Sequence, residues 1–180
     1  MKKMLLGGVL FISATTLVAC SKSSDEETTT TSIEIIKESS SSKDETSHNL
    51  SFDESYTFTE ADMHVTGYES TGLKMTIQKP VIDENIDLKE GYPEEEYSKF
   101  EGKKALVVTT IVENTSSDYI DLGGWTVLDS EGKTLDYTFT NVSTQPVDGL
   151  TSGQKATIVD VYLVSDDNPV TVSYENATWK

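Results

Sequence analysis

The chain has 180 residues, with 14 Lys and no Arg against 31 Asp plus Glu, giving a formal charge of −17. A surface that acidic repels phosphate backbones and anionic headgroups, so nucleic acid is a poor partner. A single Cys in 180 residues excludes an internal disulfide and argues against a cysteine-built zinc site, so any folded domain must stand on its own core.

Residues 1–19 read as an export segment. Lys2 and Lys3 supply a positive start, and the apolar stretch 4–16 (MLLGGVLFISATT) is short for a permanent span but suited to a signal core. Leu17, Val18 and Ala19 then lead into Cys20, and this tetrad resembles the bacterial lipobox. The chemistry explains the pattern: a diacylglyceryl group alkylates the Cys20 thiol, and the small Ala19 admits the peptidase that cuts between Ala19 and Cys20. Two acyl chains anchor stably where one is marginal, at about 0.8 kcal/mol per buried CH₂. The expectation is an extracytoplasmic lipoprotein held to the outer face of the cell membrane by lipid on Cys20. Removing residues 1–19 leaves 12 Lys against 31 carboxylates, a formal −19.

Residues 20–50 follow as the lipidated Cys and a tether. Of the 30 residues from Ser21 to Leu50, 14 are Ser or Thr and none is aromatic. Such a segment buries too little apolar surface to offset its ordering entropy, so it reads as disordered. As a flexible coil it would span roughly 30 Å, and about 100 Å fully stretched. The triplet Ile33, Ile35, Ile36 is its one apolar interruption.

From residue 51 to 180 the pattern becomes short apolar alternations between turn residues. A first strand is predicted near Met63–Tyr68. Leu73, Met75 and Ile77 then alternate with Lys74, Thr76 and Gln78, the period of a half-buried strand. Residues 105–112 (ALVVTTIV) are apolar on both faces and read as a central strand, ending at Asn114, a residue suited to a left-handed turn. A strand at Trp125–Leu128 meets the turn signal Asp129, Ser130, Glu131, Gly132, after which Leu135, Tyr137 and Phe139 alternate with polar residues. A turn at Ser152–Gly153 leads into residues 156–164 (ATIVDVYLV), and strands at Val170–Tyr174 and Ala177–Trp179 close the chain. Seven or eight strands with short connections and no long helix define an all-β, antiparallel, immunoglobulin-like β-sandwich. About 130 residues suffice to fold without disulfides.

Between Val81 and Gly102 the pattern lapses. Eight carboxylates lie between Asp83 and Glu101, with Tyr92, Tyr97 and Phe100 among them. The reading is a solvated loop. The alternative is a Ca²⁺ site built from Asp83, Asp87, Glu94 and Glu95, since that ion accepts six to eight oxygens from loose loops.

The runs 104–117 (KALVVTTIVENTSS), 127–133 (VLDSEGK) and 150–155 (LTSGQK) resemble the small immunoglobulin-like domains of unknown function in Gram-positive lipoproteins and secreted antigens. The likeness covers roughly residues 63–175 and rests on strand and turn features. Ser152 stands where many relatives carry Pro, a minor departure. The resemblance implies a fold and an envelope location, and carries over no catalytic residues.

Nothing in the chain has the spacing of a catalytic site. Of the two histidines, His48 falls in the tether and His64 beside Met63 and Val65, so a zinc site or a His-dependent nucleophile lacks its partners. Trp125, after Gly123 and Gly124, reads as a core residue, with an aromatic platform for a glycan or peptide as the alternative. The expectation is a non-catalytic binding or interaction module with no cofactor, no metal and an unidentified protein or envelope partner. Alternatives are a solute-binding lipoprotein, a Ca²⁺-dependent adhesin or, least of all, an envelope hydrolase.

Overall fold

The structure, a computed structural model, describes residues 47–62 and 70–180. It is a β-sandwich, and among the described residues it holds twelve strands. The larger sheet contains β2 (Ser55–Thr57), β3 (Leu73–Ile77), β5 (Lys104–Asn114), β10 (Lys155–Val164) and β8 (Asp136–Thr138) in that order, with β4 (Val81–Ile82) also on β5. The smaller contains β1 (His48–Leu50), β12 (Ala177–Trp179), β11 (Thr171–Tyr174) and β7 (Thr126–Leu128). A short pair, β6 (Ile120–Asp121) with β9 (Gly149–Leu150), sits beside them.

The long strands form where the alternation predicts. On β5 every second residue, Leu106, Val108, Thr110 and Val112, is buried on the inner face, and on β10 the matching residues are Ile158 and Tyr162. Val127, Val172, Tyr174, Ala177 and Trp179 approach from the smaller sheet to complete one core. Trp179 is fully buried and donates its indole N–H to the Glu54 carbonyl at 2.9 Å. Gly132 and Gly153 take positive φ at the two predicted turns, a conformation that costs Gly nothing.

Four features depart from the sequence reading. The fold starts earlier than residue 51. His48–Leu50, placed in the tether by composition, forms β1 and pairs parallel with β12, in an otherwise antiparallel set. Parallel neighbours need a long connection, and here the intervening domain supplies it. Within this corner Asp62 is buried and accepts hydrogen bonds from His48 Nε2, the Tyr56 hydroxyl, the Thr59 N–H and hydroxyl, and Asn176 Nδ2. Burial alone would raise its carboxyl, but those bonds win and hold it well below the usual carboxylate range. Tyr56, by burial and by its bond to that carboxylate, is pushed up to about 12.

Second, Asn114 does not turn the chain left-handed. It is fully buried, its Nδ2 donating to the carbonyls of Asp118 and Leu150 and its Oδ1 accepting from Ser116. It brackets two loops. Third, the alternation at β8 is inverted in burial. Tyr137 lies opposite Tyr162 and shares its inner face, yet is 49% exposed, whereas Thr138 on the outer face is buried. Tyr137 stands at the mouth of an opening, and Tyr92 covers the other side, its hydroxyl 3.0 Å from Thr138 Oγ1.

Fourth, the acidic stretch is a packed strap. Its 3-10 helix, Glu94–Phe100, buries Phe100, which joins Leu88, Ala105, Val161 and Leu163 in a second cluster on the outer face of the large sheet. The predicted strand at Met63–Tyr68 and the residue His64 lie outside the described residues, as does Cys20.

Candidate functional site

Among the described residues, two concavities with mainly apolar walls open at the sides of the sandwich. The larger is a cleft of about 1080 Å³ between β4 and β5 of one sheet and the 128–132 hairpin and 167–171 loop of the other. Its walls are mainly apolar, from Phe52, Val81, Ile82, Leu106, Leu128 and Val170, with Lys79, Asp129, Asp167 and Lys180 also on its lining. Val81 is 60% exposed, unusual for a branched apolar strand residue with a paired backbone. A short edge strand following Pro80 produces this: β4 makes only two register pairs with β5 and leaves its side chain beside an opening.

The smaller opening, about 320 Å³, lies where the 122–125 and 144–147 segments meet β10 and β8 of the large sheet. Trp125, Tyr137 and Tyr162 contribute aromatic walls, with Leu122, Val147 and Ile158 between them. The rings of Tyr137 and Tyr162 meet edge-on at 5.9 Å. Asp160 lies in the same pocket. Strand period places it on the inner face between Ile158 and Tyr162, directly across from Val108, where an apolar residue is the rule. It makes no ion pair with any Lys among the described residues, and it is the one charged residue on the pocket lining. The indole N–H of Trp125 is shielded from solvent and faces the Asp160 carboxylate and the Tyr162 hydroxyl without reaching hydrogen-bond geometry to either. Burial pushes the Asp160 carboxyl up, with the Trp125 N–H working against it. Burial likewise pushes the Tyr162 phenol up, reinforced by the negative charge of Asp160.

The residues singled out from sequence fare differently. Trp125 is half-buried: it packs against the core and lines the pocket, and the wholly buried Trp is Trp179. Asp83, Asp87, Glu94 and Glu95 are not brought together. Asp83 accepts from the N–H and side chain of Asn85, Asp87 accepts from the Lys89 N–H, and Glu94 and Glu95 face solvent on the 3-10 helix. No group of three or more His, Cys, Asp or Glu side chains converges to hold a metal among the described residues. The sequence reading missed Asp160, although a lone charge at an inward position of ATIVDVYLV breaks the pattern of its own strand.

The fold and its openings define a β-sandwich domain with lateral clefts. Neither the family models nor the curated proteins contain a match to this chain. Among solved structures it is similar to the YjhA protein of Bacillus subtilis, at 17% identity and TM-score 0.45 over 71% of this chain and 79% of that one. It is also similar to a conserved hypothetical protein of Bacillus anthracis, at 16% identity and TM-score 0.42 over 68% of this chain and 92% of that one. An uncharacterized β-sandwich protein of Clostridium difficile gives 12% identity and TM-score 0.42 over 74% and 92%.

Proposed function

We propose that this chain is a lipid-anchored extracytoplasmic lipoprotein whose β-sandwich is a non-catalytic binding module. The anchor half of the proposal comes from the lipobox at Cys20, preceded by the positive and apolar segments of an export signal. No helix among the described residues is long and apolar enough to cross a membrane. The binding half rests on one observation, the open apolar cleft beside Val81. Its volume, about 1080 Å³, suits a small molecule or the side chains of a docked segment, and ligand sites are characteristically concave and mainly apolar with a few polar groups at their margin. Lys79, Asp129, Asp167 and Lys180 supply such groups.

A photo-crosslinking residue placed at Val81, in intact cells, tests this reading. The expected result is one discrete light-dependent adduct, absent when the same residue is placed at the exposed Glu95. Identical adduct patterns from both positions, or none from Val81, would overturn it.

A further inference from the structure

The pocket beside Trp125 holds a combination that the fold does not need. A carboxylate on the inner face of a central strand is unfavourable unless paired, yet Asp160 has no cation beside it among the described residues. A Val at this position would extend the run of apolar residues facing Val108. The Trp125 N–H, buried and unbonded, points at the same place. Three aromatic side chains stand around it, and one of them, Tyr137, remains half-exposed at the mouth.

These features share one complement. Aromatic faces attract cations through the ring quadrupole, most strongly when the cation is weakly hydrated. A carboxylate at the same site adds charge of the matching sign, and the molecule's net charge of −17 raises the local concentration of cations. The pocket offers one carboxylate, the hydroxyls of Tyr137, Tyr162 and Thr144 at its walls, and otherwise apolar or aromatic surface. A primary ammonium is strongly hydrated and must re-form three N–H bonds on entry, whereas a quaternary ammonium is weakly hydrated, needs no acceptor and suits a wall of three aromatic rings beside one carboxylate. We propose that the Trp125, Tyr137, Tyr162 and Asp160 pocket binds the quaternary ammonium group of a small solute. The volume of about 320 Å³ fits such a solute rather than a folded partner.

This deepens the reading of the sandwich as a binding module but shares no lining residue with the Val81 cleft. The two tests therefore fail separately: the crosslink reports on the cleft, and the titration below reports on the pocket.

The probe is choline chloride, titrated into the full chain at constant ionic strength and followed by calorimetry and by tryptophan fluorescence. Because Trp179 is fully buried, the fluorescence response should come from Trp125. The control is 3,3-dimethylbutan-1-ol, of nearly the same shape without the charge. Choline should saturate, with the alcohol weaker by about tenfold or more, and Asp160→Asn should bring choline down to the level of the alcohol. Should Asp160→Asn fail to fold, Tyr137→Leu at the exposed mouth serves instead and should weaken choline about threefold or more. No saturable response, equal binding of choline and the alcohol, or unchanged choline binding in the folded variant would each overturn the proposal.

Discussion

At the scale of single residues, Asp62 carries the clearest consequence. It is buried, ties β1, β2 and the turn before β12 together, and accepts five hydrogen bonds from His48, Tyr56, Thr59 and Asn176. Its carboxyl is held below the ordinary Asp range, which lies near pH 3.9 in an unfolded chain. A depressed folded value means that the stability contributed by this carboxylate is fully present above about pH 4 and is lost as the pH falls below it. Asp62→Asn should cost about 2 kcal/mol or more at neutral pH, because an amide turns an N–H₂ toward groups that are themselves donors. The melting temperature of the variant should approach that of the wild type as the pH falls from 5 to 2. A gap that stays constant over that range would show that the carboxylate charge is not what holds the corner. Little of this was readable in advance: Asp62 and Asn176 are 114 residues apart, and His48 sits in a segment whose composition is that of a tether.

At the scale of elements, what the chain revealed follows length. β3, β5 and β10 have five to eleven residues and enough periods to declare a buried face. β4, β6 and β9 have two residues each, too few to show any period. β1 and β2 have three, and β1 exists because β12 offers it an edge, not because of its own sequence. The strap from residue 83 to 101 was read by its eight carboxylates, while Leu88 and Phe100, spaced too widely for a strand, decide its packing. The pocket was half legible: Trp125 drew attention by type, but its juxtaposition with Asp160 depends on how the sheets face each other. The role of β1 is testable by truncation. A chain beginning at Ser51 loses the pairing with β12 and the His48 bond to Asp62. It should melt several degrees below one beginning at Ser41, about 1–3 kcal/mol for a domain of this size. Equal melting temperatures would mean that β1 adds nothing and that folding needs only residues from 51 onward.

At the scale of the whole molecule, the chain has a proposed lipid anchor at Cys20, a Ser- and Thr-rich segment, and a sandwich with lateral openings among its described residues. Under that proposal its acidity would keep the domain soluble beside an anionic surface, since like charge would hold it off the lipid in which the acyl chains sit. The central claim is that lipid on Cys20 places the sandwich outside the cell. The most direct measurement is to express the full chain and Cys20→Ala in a Gram-positive host fed a clickable palmitate analogue, then follow label, fraction and protease access on intact cells. The account predicts that the wild type is labelled, sediments with membranes and is degraded by external protease, while Cys20→Ala carries no label and is not cut before residue 20. A Cys20→Ala variant that labels and fractionates as the wild type does, or a wild type that takes no label, would contradict it.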